Sequence, residues 1–397
     1  MNSISEQPNI SFQDAIAIVL FFTAIFFLIM ISRVVLSPLM IVVKEEMAFS
    51  HAAAGQLFFF LALGVSLGLL SNSVLSGLIM HRRVVILSTL LCGVALIIAS
   101  FSRNFMSFAF TFFFVGWGGG IYSPSGIASI TAVVDKRHWG KAMAVHETAP
   151  NLALVATPIF VEGVLLFSTW QSVLIFLGSA HILLALLFAR FGKGGAFRGK
   201  FLRIAVIGSI IKSRDFWILI ILFGFAFGAV MAPYAMLPLY LTDEHGFGRE
   251  AANKLLSISR ISGLFMAFIA GYVTDRLGMK WTLSLYLILT GLFTALLGVV
   301  HGPSLMIAAF LQPLIAVCFF PPGFTAASQL FDVSIRSITI SLLLPTSVFI
   351  GNGIFPVMLG SLGERGVFYL GFILQGALIL FCIVLIPLLN LSTERKL

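Results

Sequence analysis

The chain has 397 residues, 59% of them hydrophobic and only 10% charged, with 24 Lys and Arg against 15 Asp and Glu. So apolar a composition, with a mean hydropathy of +1.09, excludes a soluble globular domain, which could not cover such a core with so little polar surface. The net charge of +9 lies mainly in gaps between apolar stretches, so it reads as orientation against an anionic inner leaflet and not as nucleic-acid binding.

A membrane span needs about 20 apolar residues to cross roughly 30 Å of hydrocarbon, and twelve stretches qualify. In chain order they run approximately 15–43, 52–80, 84–101, 105–134, 142–167, 172–191, 216–242, 255–274, 282–300, 305–331, 337–362 and 367–391. Residues 1–14 lack the basic segment that opens a signal peptide, so 15–43 is expected to be a span. Several stretches exceed what the hydrocarbon requires, and tilt or breaks at Pro38, Pro124, Pro158, Pro233 and Pro356 are expected.

With the N-terminus placed in the cytoplasm, seventeen of the 24 basic residues fall in inner gaps and five in outer gaps, while Arg33 and Arg260 lie inside spans. The positive-inside rule then predicts a multi-pass protein of the plasma (cytoplasmic) membrane with both termini cytoplasmic. The longest inner gap, 192–215, opens glycine-rich and is basic throughout. Its apolar part, 201–211, is too short to cross and predicts an interfacial helix. This linker separates an N-terminal six-span bundle, 1–191, from a C-terminal one, 216–397. The halves share a pattern: Pro124, Gly126, Asp135, Arg137 and Pro158 parallel Pro321, Gly323, Asp332, Arg336 and Pro356 at an offset near 197. Six spans per repeat is an even number, which predicts a parallel repeat and a substrate site near mid-membrane.

The run from Gly271 to Lys280, Gly-Tyr-Val-Thr-Asp-Arg-Leu-Gly-Met-Lys, resembles the Gly-x-x-x-Asp-Arg-x-Gly-x-Lys signature of the major facilitator superfamily. Together with twelve spans, two six-span halves and a basic central loop, the resemblance covers the whole chain. It implies an all-α integral membrane fold of two pseudo-symmetric six-helix bundles and secondary transport by alternating access, without a cofactor. It also implies a cytoplasmic latch in which Asp275, Arg276 and Lys280 meet Arg82, Arg83 and Arg137. The first-half copy of the signature departs from the pattern: Gly77 is followed by His81, Arg82 and Arg83, with no aspartate. Residues 112–115 stand where many proton-coupled members carry an arginine, and Thr157-Pro158 stands in place of the glycine-rich motif of the drug antiporters. These departures turn the reading away from drug/proton antiport.

A charge at mid-membrane costs several kcal/mol unless it faces a cavity or a partner. Arg33 stands eleven residues before Lys44, roughly 16 Å below the outer surface and near the midplane. Some organic-anion and organic-phosphate members resemble this chain in carrying an arginine in span one. A guanidinium there can pair bidentately with a carboxylate or phosphate; the alternative is an internal ion pair. Arg260 stands fifteen residues before Asp275, roughly 22 Å from the inner loop. It is a second candidate anion contact, or an outer gate residue paired with Glu162 or Glu364. His146 and Glu147, the latter about 9 Å inside the membrane from Lys141, are the candidate proton-coupling pair, because an imidazole changes charge near neutral pH. The alternative there is a Glu147–Arg137 or Glu147–Lys141 pair closing the inner side.

Tyr122, Asn151, Tyr234, Gln312 and Asn352 are further candidate substrate contacts, and His181 reads as structural. The glycine run before Tyr122 fails as a dinucleotide fingerprint, since residue 121 is Ile, and reads first as helix packing, as do Gly64 and Gly68. His146-Glu147-Thr-Ala-Pro150 lacks the second histidine of a zinc-protease motif, and no nucleophile elbow or phosphate loop occurs. Enzyme activity and ATP-driven transport are therefore not expected. Cys92, Cys318 and Cys382 fall within spans, so neither a disulfide nor a metal site is expected. The reading is a monomeric secondary transporter that moves a small organic anion, a carboxylate or organic phosphate, with protons. The alternatives are proton-driven efflux of amphipathic compounds, through a cavity lined by some of the 41 phenylalanines, and a non-transporting membrane receptor or sensor.

Overall fold

The computed structural model describes residues 12–199, 204–261 and 263–391, except for the side chains of 204–206, 264, 265, 267, 268, 271, 275, 333 and 334. The helices in chain order are α1 Phe12–Val34, α2 Leu36–Met47, α3 His51–Leu78, α4 His81–Ser100, α5 Phe105–Val133, α6 Trp139–His146, α7 Thr148–Leu165, α8 Trp170–Phe191 and α9 Ile204–Ile211. They continue with α10 Arg214–Asp243, α11 Arg249–Ile261, α12 Gly263–Leu277, α13 Met279–Leu297, α14 Pro303–Ala316, α15 Phe320–Leu330, α16 Val333–Val348, α17 Phe355–Gly363 and α18 Phe368–Phe381. Short polar or glycine-containing turns punctuate the apolar runs. The Asn104 side chain accepts from the Ser107 N–H at 2.9 Å and starts α5, and Gly302, at φ 58°, precedes Pro303 at the start of α14. Each device satisfies or avoids an amide that the first helical turn leaves without a partner.

Eleven helical stretches among the described residues are long and apolar enough to cross a membrane, and they coincide with the predicted spans other than 255–274. That remaining span is carried by α11 and α12, on either side of residue 262, which lies outside the described residues. The protein is an all-helical, multi-pass membrane protein. Its linker contains α9, and residues 201–203 of the expected interfacial helix lie outside the described residues.

Of the expected proline breaks, those at Pro38 and Pro356 are found and those at Pro124, Pro158 and Pro233 are not. Pro124, Pro158 and Pro233 sit inside the uninterrupted helices α5, α7 and α10. The interruptions stand two or three residues ahead of Pro38, Pro150, Pro321 and Pro356. The turn at Val35 precedes Pro38, Glu147 joins α6 to α7 before Pro150, and a 3-10 turn at Val317–Phe319 precedes Pro321. A π-helical turn at Phe349–Ile354 precedes Pro356. A proline ring crowds the turn before it and offers no N–H, so that preceding turn is the one that rewinds.

The chain packs as two compact units: residues 1–36 with 60–202, and residues 37–59 with 203–397. In the first, α1 lies along α5, α6 and α7, and α4 lies along α5 and α8. Where α3 meets α5, a Cβ on Gly64 would strike the Phe113 carbonyl and one on Gly116 the Leu61 carbonyl; Gly68 and Gly120 repeat the contact one turn on. The two backbones touch, which is how notched helices associate in lipid. In the second unit, α10 lies along α16 and the π-helical turn, and α13 lies along α14 and α18. The internal repeat is written into this packing. Gly93 meets Gly178 where α4 crosses α8, and Gly291 meets Gly376 where α13 crosses α18, both 198 positions further on (93 to 291, 178 to 376).

Gly116→Val is expected to lower stability by about 1–3 kcal/mol through overpacking, read as a lower melting temperature in detergent. Gly163→Ala, whose added Cβ would meet nothing within 4 Å, should leave the melting temperature unchanged or raise it slightly.

Candidate functional site

In the first unit, α1 presents Phe22, Phe26, Met30 and Arg33 at helical spacing along one stripe. Arg33 donates from Nη1 to Met30 Sδ at 3.4 Å, and its aliphatic carbons lie against Gly119 of α5, where a Cβ would stand 3.0 Å from Arg33 Cδ. Among the described residues no carboxylate comes within ion-pair distance of Arg33. The internal ion pair that the sequence leaves open at this position is not found among the described residues.

Further down the same stripe, Tyr122 donates its hydroxyl hydrogen to the Phe22 carbonyl at 2.7 Å, and its oxygen stands 3.2 Å from His146 Nε2. The Phe26 ring stacks on the His146 imidazole at 4.5 Å and 7°, and on the Tyr122 ring at 5.4 Å. His146 Nδ1 faces Glu147 Oε1 at 3.1 Å, with the histidine side chain 1% exposed and the glutamate 51%. Consecutive residues of a regular helix point about 100° apart. The join between α6 and α7 at Glu147 (ψ 0°) brings these two onto a single contact. Asn151 braces the join, donating from Nδ2 to the Glu147 carbonyl at 3.2 Å. The alternative pairs of Glu147 with Arg137 or Lys141 are not formed: Arg137 lies 3.8 Å from Asp135, within its own loop.

This geometry fixes proton positions. The Tyr122 hydrogen is committed to Phe22, so His146 Nε2 faces a hydroxyl oxygen and carries hydrogen itself. Nδ1 and the Glu147 oxygen then stand at 3.1 Å, a separation that needs one proton between them, on either atom. Phe26 and Arg33 are seven residues apart, so this pair lies about 10 Å along α1 from the guanidinium.

In the second unit, three side chains collar α10 ahead of Pro233. Gln375 donates to the Gly228 carbonyl at 2.8 Å, Gln312 to Ala229 at 2.7 Å, and Arg260 Nη1 to Val230 at 3.2 Å. The Ala229 carbonyl is the one that Pro233 deprives of its helical donor. Gln312 is thus placed as a backbone brace, held also by Thr294 Oγ1 at 3.1 Å. The Arg260 guanidinium lies 5.0 Å over the Tyr234 ring, a cation–π contact. It is 6% exposed, and its Nε finds no hydrogen-bond partner among the described residues. The expected pair with Glu364 is not formed, because Glu364 takes the His51 backbone N–H at 2.7 Å. Asn352 sits in the π-helical turn, with Oδ1 lacking a partner among the described residues. His181 is fully buried and bonds Ser32 at 2.8 Å, a packing role.

Of the cytoplasmic set, Arg82 donates to the Ala189 carbonyl at 2.9 Å at the end of α8, and the Arg83 N–H bonds the Met80 carbonyl. Arg276 lies 5.0 Å over the Tyr272 ring, and the Lys280 carbonyl accepts from the Ser284 hydroxyl. The Asp275 side chain lies outside the described residues. Two participants escaped the sequence reading. Phe26 was signalled only by its seven-residue spacing from Arg33, and Gln375 looked like one polar residue in a lipid-spanning helix.

A family model described as Major Facilitator Superfamily matches residues 22–269 and 236–396. Among solved structures, the fold is similar to that of a bacterial homologue of the human lysosomal transporter Spinster in an inward-facing, occupied conformation. That match has a TM-score of 0.80 and 14% identity and covers 95% of this chain and 98% of that one. It is also similar to a nucleoside transporter (TM-score 0.77, 12% identity, 94% and 100% covered) and to a D-xylose–proton symporter (0.76, 15%, 96% and 99%). No curated protein matches the sequence.

Gln312→Leu is expected to cost about 1–3 kcal/mol by leaving the Ala229 carbonyl unmet, read as a lower melting temperature. In a Pro233→Ala background residue 233 regains an N–H for that carbonyl, and the same substitution should cost clearly less. An equal cost in both backgrounds contradicts the bracing role.

Proposed function

The chain belongs to the major facilitator superfamily, a family of secondary transporters and not enzymes, and on that premise we propose that it carries a small organic anion, a carboxylate or organic phosphate, together with protons. The observation that carries this reading is Arg33: a guanidinium in a membrane-spanning helix, packed by Met30 and Gly119, with no carboxylate to neutralise it among the described residues. A charge left so in hydrocarbon is retained at a cost of several kcal/mol unless something else supplies the counter-charge, and an anionic cargo supplies it. The planar fork of donors suits a carboxylate or phosphate. Arg260, buried and stacked on Tyr234 with Nε lacking a partner among the described residues, is a second buried guanidinium of the same chemistry. The proteins of similar fold named above include carriers of a nucleoside and of D-xylose, so the fold leaves the cargo open and the residues choose it.

The His146–Glu147 pair supports proton coupling, since its two facing atoms share one proton and Glu147 is half-exposed while His146 is enclosed. Gaining or losing that proton changes the charge about 10 Å along α1 from Arg33, close enough for the two events to influence one another in a low-dielectric setting. The excess of basic residues in alternate gaps supports a plasma-membrane protein with both termini cytoplasmic.

Two outcomes are expected. Carboxylates or organic phosphates should raise the melting temperature of the purified protein, and Arg33→Gln should abolish that rise; stabilisation by cationic amphipaths alone, unaffected by the substitution, would turn the reading to efflux. In proteoliposomes, Glu147→Gln should abolish accumulation driven by a pH gradient while leaving substrate exchange at equal pH. Loss of both, in a protein that still binds its anion, would make Glu147 a structural residue.

A further inference from the structure

A second cluster of titratable groups lies in the second unit, at helix ends that the charge distribution assigns to the outer face. The tip of the hairpin formed by α2 and the start of α3 carries Lys44 and His51. The end of α10 carries Asp243, and the turn after α17 carries Glu364. Lys44 Nζ stands 3.2 Å from Asp243 Oδ2, the same oxygen that His51 Nε2 contacts. On the other side of the ring, His51 Nδ1 stands 3.8 Å from Glu364 Oε2. That Glu364 oxygen also accepts from the backbone N–H of His51 at 2.7 Å and of Ala52 at 3.4 Å. Glu364 thus caps the N-terminus of α3 from a distant part of the chain, where a negative charge is favoured by the helix dipole. Phe368 closes the ring edge-on at 5.3 Å.

The proton inventory is constrained. Asp243 accepts at His51 Nε2, so that nitrogen carries hydrogen. Lys44, 2.9 Å from Nε2, can only donate, and its bond goes to Asp243. The remaining site is Nδ1. With Nδ1 protonated, two cations (Lys44 and His51) meet two carboxylates (Asp243 and Glu364), and both ring nitrogens donate toward a carboxylate. With Nδ1 bare, its lone pair faces the Glu364 carboxylate and the cluster is left with one excess negative charge. Burial pushes the Glu364 carboxyl up, but bonds from the Ser50 side chain and the Ala52 and His51 amides outweigh it and hold the group below the usual glutamate range. Glu364 therefore stays ionised, and a histidine is the side chain whose charge changes nearest neutral pH. Glu45 and Glu46, on α2 beside Lys44, are the neighbouring acidic residues on the same element.

We propose that His51 is a second proton-binding site of this protein, one that ties the tip of the α2–α3 hairpin to Asp243 and Glu364 when Nδ1 is protonated and loosens it when the proton leaves. The base of the hairpin is held by bonds that do not titrate, from Ser37 to the Tyr234 carbonyl and from Asn253 to the Pro38 carbonyl, so the effect is confined to the tip. Residues 37–59 are continuous with α1 and with the rest of α3, which belong to the first unit. Proton occupancy at His51 thereby sets how firmly this hairpin is held in the second unit. The inference rests on neither the nature of the cargo nor the His146–Glu147 pair.

Spin labels at Ala48→Cys and Arg365→Cys, in full-length protein with Cys92, Cys318 and Cys382 replaced, report the tip directly by double electron–electron resonance. One short distance is expected at about pH 5, with a longer component growing as the pH is raised to about 8. His51→Gln should remove that pH response. Glu364→Gln, which keeps the imidazole but removes the charge facing Nδ1, should also remove it and covers the case in which His51→Gln folds poorly. A distance that does not change with pH in the parent protein, or a response that survives in both variants, overturns the proposal.

Discussion

Hydrocarbon offers a peptide group no hydrogen-bonding partner, so each membrane helix must close its own ladder or borrow donors from a neighbour. Much of the polar chemistry in this protein follows from that constraint. Thr23, Ser32, Ser129 and Thr157 fold their hydroxyls back onto carbonyls one turn earlier in their own helices, so each hydroxyl is met within its own helix. Where Pro233 frees a carbonyl in α10, Gln312 crosses from α14 to meet it, with Gln375 and Arg260 on the carbonyls beside it.

Against that background of satisfied groups, the exceptions carry meaning. Arg33 has a thioether for its neighbour where a carboxylate would neutralise it, and Arg260 has an aromatic face and an unmet Nε. Neither arrangement offsets the desolvation of a full charge as a paired and fully hydrogen-bonded carboxylate would. On the proposed function, an anionic cargo supplies the counter-charge that the described residues do not offer Arg33.

The departures from regular helix cluster near these groups. The turn at Val35 lies two residues from Arg33, the α6–α7 join holds Glu147 against His146, and the π-helical turn contains Asn352. A regular helix would splay His146 and Glu147 onto different faces; the local rewinding lets them share a proton. By contrast, the helices of the glycine contacts, α3 with α5 and α4 with α8, run unbroken through their crossings. Rigid crossings and irregular polar turns thus divide the labour of holding the fold and holding the chemistry.

The spans and the internal repeat were legible in the chain because a span depends on a sum over about twenty residues, which hydropathy reports directly. Arg33, Arg260, His146 and Glu147 stood out for the same reason, as charged or titratable groups in apolar surroundings. The sequence could not show that Gln312 is a backbone brace, that Glu147 faces His146 and not Arg137, or that Lys44, His51, Asp243 and Glu364 converge. Each of these depends on the local winding of a helix, or on its rotation and height against a neighbour distant in the chain, where a rotation of 100° or a shift of one turn exchanges one partner for another. The sequence by itself determined which segments cross the membrane and which charges they bury. The partner of each buried polar group was decided only by tertiary packing, because in lipid many apolar faces pack almost equally well and a few close contacts, such as Gly64 on the Phe113 carbonyl and Gly93 on Gly178, select the register.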